Sequence, residues 1–265
     1  MPTTYVHECA FVVVQDMGAW LRARLDQHLV ANGFTATRSR ARDLIKRGEV
    51  CVDGEAATRA AMMVGPKNMI TVNSTANRYV ARSAEKLKAA MTHYNLSASK
   101  RVALDIGAST GGFTQVLLET GAQFVYAVDV GRDQLHSSLR THKRVHDMSG
   151  TDARNLDHAH FAHPITAITA DVSFISLQKA LLVPMALATQ DAWIIALIKP
   201  QFELGPKLVG KDGIVKDDAL RHKAVDEIRE FLSTTGWHVK DPIPSPISGK
   251  RGNLEYLIAA TLQGA

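Results

Sequence analysis

The sequence predicts an α/β protein: a doubly wound sheet with helices on both faces, preceded by a small α+β module. Three observations carry that prediction. From Arg82 onward, short apolar runs alternate with longer segments of helical period, the pattern of strands and helices laid in turn. Ahead of Arg82 the pattern differs, with two short helices, two strands and then the small polar stretch Asn73–Asn77. The composition is globular: 265 residues, 46% hydrophobic and 22% charged, which excludes collagen-like, coiled-coil and wholly disordered chains.

Residues 1–19 show no clear period and read as an irregular extension, with one added strand at Phe11–Val14. The module occupies residues 20–76. Leu21, Leu25 and Leu29 recur at helical spacing over Leu21–Val30, and Asn32-Gly33 stops that helix. A second helix is predicted over Ser39–Arg47, with Ala41, Leu44 and Ile45 inward and Gly48 as its stop. Val50–Val52 and Met69–Val72 read as strands, the first turned by Asp53-Gly54. Residues 77–265 carry the alternation. Strands are predicted at Val102–Ile106, Phe124–Val130, Ile165–Ala170, Trp193–Ile198, Trp237–Lys240 and Leu254–Ala260. Helices are predicted at Ala84–His93, Gly112–Thr120, Ile175–Ala188 and Asp217–Thr235. Trp20, Trp193 and Trp237 read as packing anchors.

Lys plus Arg number 31 against 26 Asp plus Glu, a net charge of +5 that names no partner. Its distribution says more. Residues 20–82 hold eleven Lys/Arg and five acids, netting +6, while residues 83–265 hold twenty against nineteen. A compact basic module of that kind points to a polyanion. Cys9 and Cys51 have neither metal-ligand nor disulfide spacing, as suits a reducing, cytoplasmic setting. Ala10–Val14 is too short for a signal-peptide core, and Ala192–Ile198 falls far below the roughly 20 residues of a membrane span. The eleven His residues show no ligand spacing, and His158, His160 and His163 sit in a polar loop, so no metal is expected.

Within the module, Arg38, Arg40, Arg42, Lys46 and Arg47 flank one acid, Asp43. With the apolar positions inward, most of these cations face solvent along a line suited to a phosphate backbone, and Arg forks bond phosphate oxygens in pairs. Arg24-Leu25-Asp26, then Ser39-Arg40 and Ile45-x-x-Gly48-x-Val50-x-Val52-x-Gly54, resemble the αL RNA-binding module of a small-subunit ribosomal protein, tyrosyl-tRNA synthetases and many pseudouridine synthases. Asp53 stands where Asn is commoner, which the same turn accommodates. The resemblance implies structured RNA as the partner. Arg22, Arg24, Arg38, Arg40, Arg42, Lys46 and Arg47 are the candidate contacts.

Residues 102–113 read as a buried strand ending in Asp105, then a glycine loop through Gly107, Ser109, Thr110, Gly111 and Gly112 that feeds a helix at Phe113. Such a loop lets a ligand approach backbone N–H groups beside a helix N-terminus, although alone it reads equally as a structural turn. The nicotinamide pattern G-x-G-x-x-G is absent. Asp105 instead suits a cationic ligand such as the amino group of S-adenosyl-L-methionine. Asp129 ends the next strand, where an acid often receives ribose hydroxyls. Asp152-Ala153 lies where a carboxylate meets an adenine amino group. Each acid alone reads as readily as a strand-end cap; their order together fits an adenosyl nucleoside. Asp171 and Lys199 end two further buried strands, and carboxyl ends in such sheets face the ligand crevice. An ammonium there is costly to bury without a partner, and a Lys that loses its proton is a base.

With these residues assembled, the chain from about Arg22 to Ala260 resembles the TlyA haemolysin-like ribosomal RNA 2′-O-methyltransferases, which join an αL module to an FtsJ-like domain of Rossmann-like fold. The motifs are Asp105–Thr114 (Asp-Ile-Gly-Ala-Ser-Thr-Gly-Gly-Phe-Thr), Asp171–Leu177 (Asp-Val-Ser-Phe-Ile-Ser-Leu) and Ile198–Glu203 (Ile-Lys-Pro-Gln-Phe-Glu). Ser245-Pro246-Ile247 and Gly252-Asn253-Leu254-Glu255-Tyr256 match as well. The resemblance implies a catalytic tetrad of Lys86, Asp171, Lys199 and Glu255, with Lys199 as base toward a ribose 2′-OH of cytidine and Asp171 orienting it. Two positions depart from the family pattern. Ser83-Ala84 replaces a Gly-Gly pair before Lys86, and Asp212 replaces a glycine in the 210–215 loop, which is expected to act as a lid over RNA.

Three functions are weighed. An RNA 2′-O-methyltransferase is favoured by the tetrad, with ribosomal RNA or ribosomal subunits as partner. A cytolysin is the activity for which such proteins were named, but no spanning helix, alternating barrel pattern or secretion signal supports it. An RNA-binding assembly factor with a vestigial domain is opposed by the intact tetrad.

Overall fold

A computed structural model describes residues 11–13, 22–35, 37–46, 48–73, 79–205, 208–210, 212–249 and 252–262. They divide into two units, Met1–Tyr79 and Val80–Ala265. Arg47, Lys211, Trp20, the linker beyond Asn73 and most of the N-terminal extension lie outside the described residues.

The first unit runs β1 (Phe11–Val13), β2 (Ala23–Arg24), α1 (Leu25–Ala31), α2 (Arg38–Lys46), β3 (Val50–Val52), β4 (Glu55–Ala56), β5 (Met63–Val64) and β6 (Ile70–Asn73). Strands β1, β6, β3 and β4 form one antiparallel sheet in that order. Val50 lies opposite Val72 and Val52 opposite Ile70, so one face of the ladder is apolar and buried. Asp53 and Gly54 both have positive φ, the conformation a two-residue hairpin turn requires. That face packs on Leu25, Leu29, Ala41, Leu44 and Ile45 from the two helices.

Helix α1 begins four residues later than its leucine spacing suggests. Ala23 and Arg24 pair with Val64 and Met63 as a strand, and the amides of Leu25 and Asp26 donate to Met62 and Ala60 carbonyls (2.7 and 3.0 Å). Tertiary hydrogen bonds therefore use the chain that local period assigned to a helix. Just inside α1, Asp26 is fully buried and accepts from Arg24 (Nε, 3.0 Å), Arg38 (Nη2, 3.1 Å) and Arg42 (Nε, 3.0 Å). Arg38, Arg42 and Lys46 are exposed, as expected, while three of the seven candidates, Arg24, Arg38 and Arg42, also converge on one carboxylate. The Arg24 hydrogen bond, reinforced by Arg38 and Arg42, holds the Asp26 carboxyl well below the usual carboxylate range.

The second unit contains α3 (Ser83–Tyr94), β7 (Val102–Ile106), α4 (Gly112–Glu119), β8 (Phe124–Asp129), α5 (Ser137–Arg140) and β9 (Val145–Ser149). After two short 3₁₀ turns come β10 (Ile165–Ala170), α6 (Leu177–Ala186), β11 (Ala188–Ile198), α7 (Pro200–Glu203), α8 (Asp218–Thr234), β12 (His238–Val239), β13 (Ile243–Pro244) and β14 (Tyr256–Thr261). The sheet order is β9-β8-β7-β10-β11-β14-β12, with β13 also paired to β14. From β9 to β11 all pairs are parallel, and β14 enters antiparallel. The doubly wound expectation is met. β7 and β10 are adjacent while their chain neighbours lie on opposite sides, so the topological switch point falls between them.

Departures from the predicted elements are local. β9 escapes the apolar pattern because it is an edge strand reading Val-His-Asp-Met-Ser. Helix α6 starts at Leu177 rather than Ile175 because Phe174 has φ +67, which breaks the helical path. β11 begins at Ala188, where the helix was expected to end. In the 210–215 loop, Gly213 and Val215 are tied to neighbouring elements. Val215 is buried, its amide donates to Asn253 Oδ1 (3.2 Å), Asn253 Nδ2 donates to Gly213 O (2.9 Å) and Arg221 Nη1 donates to Val215 O (2.6 Å). Among the described residues, no helix is long and apolar enough to cross a membrane.

Because Asp26 has a depressed folded-state pKa, its stabilisation is fully present above the unfolded value near pH 4 and disappears as pH falls below it. The partner arginines are partly exposed, so the effect is modest. Asp26→Asn is expected to destabilise the first unit by about 1–2 kcal/mol at pH 7 and to remove that acid sensitivity. Hydrogen-exchange protection of α1 and α2 between pH 3 and 7 measures both.

Candidate active site

The switch point is built by close packing of two strand ends. Ala170 of β10 is opposite Ile106 of β7, and the amide of Asp171 donates to Ile106 O at 2.9 Å. Gly107 follows with φ +77, and a Cβ on it would lie 2.6 Å from the Asp171 carbonyl oxygen. Only glycine permits this approach. Gly107 and Ala108 both donate to Val128 O (2.9 and 3.1 Å), tying the loop to β8 as well.

Asp105 is placed differently from the expectation. It is fully buried beneath the loop, accepting from Thr114 Oγ1 (2.6 Å) and Thr169 Oγ1 (2.8 Å), and it does not line the cavity. Burial pushes its carboxyl up to about 6 against the lowering effect of the two hydroxyls. Asp105 thus braces β7, β10 and α4. Thr110, Gly111, Gly112 and Phe113 also stand behind the wall. Thr110 O accepts from the His136 amide at 3.1 Å, a Cβ on Gly111 would meet Leu139, one on Gly112 would meet Ser83, and Phe113 is core. The Ser83-Ala84 pair in place of two glycines is accommodated here: Ser83 opens α3 against Gly112, and Ala84 is buried.

Above the switch point lies a cavity of about 1060 Å³ lined by Gly107, Ser109, Asp129, Asp152, Ala153 and Asp171. Of the ten sequence-selected cofactor residues, these first five are the ones that reach it. Asp129 receives the Ser109 amide on Oδ2 (2.8 Å) and the Gly131 amide on Oδ1 (2.7 Å), which fixes its carboxylate at the rim. Asp152 is held by Arg154, whose Nη2 donates at 2.6 Å and keeps the carboxyl below its ordinary value. The expected adenine contact therefore carries a guanidinium in this structure. Among the described residues, no group of three or more His, Cys, Asp or Glu is placed to hold a metal ion.

Two buried ion pairs stand at the same end of the sheet. Lys199 Nζ lies 2.6 Å from Asp171 Oδ1, and Lys86 Nζ lies 2.5 Å from Glu255 Oε2. Strand register brings them together: Ile198 is opposite Tyr256, and Lys199 and Glu255 are the residues just beyond those ends of β11 and β14. Lys86 reaches Glu255 from α3. Glu255 has Oε1 over Gly249, where a Cβ would collide with it. Lys86, Lys199 and Glu255 are buried and Asp171 is half-buried at the cavity, so the buried charges depend on their partners.

Three cavity residues had no assigned role in the sequence. Ser173 Oγ accepts from Lys199 Nζ at 3.0 Å. Phe174 is 90% exposed in the left-handed region, with its ring 5.0 Å from that of Phe202. Glu203 receives the Leu177 amide on both oxygens (3.1 and 3.2 Å), and burial pushes it up to about 7. The only sequence signal was their place in the two motifs after β10 and β11. Of the module candidates, Arg22 and Lys46 are exposed and Arg40 donates to Tyr79 O at 2.8 Å.

The profile of FtsJ-like methyltransferases matches residues 79–262. The chain belongs to the FtsJ-like methyltransferase family. The S4 domain profile matches residues 23–70 of this FtsJ-like protein. A relative from Mycobacterium tuberculosis, the 16S/23S rRNA (cytidine-2′-O)-methyltransferase TlyA, is 40% identical over 89% of each chain. Hemolysin A of Brachyspira hyodysenteriae is 39% identical over 88% of this chain and 98% of its own. A solved structure bearing a hemolysin label, from Streptococcus thermophilus, superposes with a TM-score of 0.73 at 34% identity, covering 92% of this chain and 90% of that one.

The raised carboxyl of Asp105 means that the folded chain keeps a proton which the unfolded chain releases between about pH 4 and 6. That contribution is complete below pH 4 and lost as pH rises through 6, amounting to about 3 kcal/mol at most. Asp105→Asn is expected to flatten unfolding stability across this window, as urea denaturation at pH 4, 5, 6 and 7 measures.

Proposed function

We propose that this methyltransferase uses S-adenosyl-L-methionine to methylate the 2′-OH of a cytidine ribose in ribosomal RNA, acting in the cytoplasm, where that RNA resides. The observation that carries the reading is Lys199, a largely buried lysine paired with Asp171 and hydrogen-bonded to Ser173, both of which line the cavity. The names of the curated TlyA relatives supply the substrate class.

The cavity chemistry fits the cofactor. Asp129 offers a fixed carboxylate for ribose hydroxyls, and Asp152 offers one for an adenine amine once Arg154 yields it. Gly107 and the Asp171 carboxylate both line the cavity at the switch point. S-adenosyl-L-methionine supplies an electrophilic methyl on a sulfonium. The protein then has to align a ribose oxygen in line with that methyl, exclude water and take the hydroxyl proton. Lys199 in its amine form takes that proton, and Asp171 orients Lys199 and balances the resulting ammonium. Lys86 and Glu255 complete a buried array of alternating sign. Phe174, exposed beside this array and backed by Phe202, offers a ring face on which an unstacked base rests.

The first unit is assigned the grip on RNA. Asp26 holds three guanidinium groups in one fixed constellation, so less side-chain freedom is lost on meeting phosphates. Arg22, Arg40 and Lys46 extend the basic surface.

Radiolabelled methyl transfer to ribosomal subunits, followed by mapping of 2′-O-methyl sites, tests the proposal. Lys199→Ala is expected to lower the turnover number by about 10²–10⁴-fold while retaining S-adenosylhomocysteine binding; full activity would sink the base assignment. Phe174→Ala is expected to raise KM for RNA with little change in cofactor affinity. The hemolysin names borne by relatives suggest a second assay. Lysis of red cells by the purified protein alone would favour the cytolytic reading instead.

A further inference from the structure

We propose that Ser173 is a positioning residue that aims the nitrogen lone pair of Lys199 at the substrate hydroxyl. The proposal rests on the reading of Lys199 as base and adds a residue to that site.

The argument is one of donor counting. An ammonium has three N–H groups and no lone pair, whereas the amine has two N–H groups and one lone pair. Around Lys199 Nζ stand two acceptors, Asp171 Oδ1 at 2.6 Å and Ser173 Oγ at 3.0 Å. When the amine forms, these two acceptors take both remaining N–H groups, and the lone pair is left on the last tetrahedral corner. With Asp171 alone, one N–H is held and the second N–H and the lone pair exchange between the two remaining corners. Ser173 takes the second N–H and so leaves the lone pair on a single corner.

Both acceptors line the cavity and hold Lys199 Nζ within 3.0 Å, with its side chain 10% exposed, so a substrate seated against them meets this nitrogen at its remaining corner. The frame is rigid on each side. Lys199 caps α7, its carbonyl accepting from the Phe202 amide at 2.8 Å, with Pro200 locking the first turn. Ser173 sits between the strand end at Asp171 and the left-handed Phe174, a costly backbone state of the kind retained where a side chain must be aimed. The charged groups from the other elements facing this end, Glu255 of the β14 entry and Lys86 of α3, are paired with each other.

In the step itself, the ribose O–H bond breaks and its proton joins the lone pair of Lys199. The oxygen bonds the methyl carbon as the carbon–sulfur bond breaks, leaving a neutral thioether. The ammonium then has three N–H groups, two on Asp171 and Ser173, and the third passes its proton to solvent after product leaves.

Steady-state methylation of ribosomal subunits by wild type, Ser173→Ala, Ser173→Thr and Lys199→Ala tests the idea, with calorimetry of S-adenosylhomocysteine alongside. Ser173→Ala is expected to lose on the order of 10-fold in kcat, with KM for RNA and cofactor affinity unchanged. Ser173→Thr, which keeps the hydroxyl, is expected to regain most of the rate. A wild-type kcat in Ser173→Ala, a loss confined to KM, or a Thr variant as slow as the Ala variant overturns the proposal while the base assignment stands. An active Lys199→Ala enzyme overturns the base assignment and the role of Ser173 together.

Discussion

The backbone of Gly107 lies against the carbonyl of Asp171 with no room for a side chain between them. Everything at the candidate site follows from that contact. It brings the carboxyl ends of β7 and β10 together at the switch point, so the cavity opens above and the Asp171 carboxylate stands at its edge. Asp105 secures the arrangement from below by receiving hydroxyls from both α4 and β10. A fully buried carboxyl is an unfavourable choice for stability alone, and its two hydroxyl partners only partly offset the burial.

The rest of the site is a matter of charges that sheet register brings within reach. Lys199 and Glu255 are far apart in sequence, yet the antiparallel entry of β14 sets them side by side, each with its own counter-ion. Buried pairs of this kind contribute little to stability, because desolvation consumes most of the attraction. Their value is orientation. A charge that cannot reach water stays where its partner holds it, and a base must be held still to act. The first unit uses the same device at a surface, where one buried Asp26 gathers three arginines.

Much of this was legible in the sequence because it depends on local signals. The strands at Val102–Ile106 and Ile165–Ala170 are continuous apolar runs, and the turn at Asp53-Gly54 has residues suited to positive φ. The motifs also pointed to Lys86, Asp171, Lys199 and Glu255, and the structure joins them into two pairs. Less legible were features set by distant partners. Leucine spacing ran α1 back to Leu21, but the strand pairing of Ala23–Arg24 with Met63–Val64 decided the start. The edge strand β9 lacked an apolar signature, and the 210–215 loop was tied down by Asn253 from about 40 residues away.

By itself the sequence determined the alternating strands and helices of a doubly wound sheet and the basic leading module. Those follow from residue type, period and spacing, which act over a few positions. Only the tertiary structure decided which acids face the cavity. Asp105 and Asp129 both read as strand ends in the sequence, yet one lies under the loop with hydroxyl partners and the other at the rim with amide partners. Burial and hydrogen-bond partnership depend on what other parts of the chain bring to a position, and no local pattern records that.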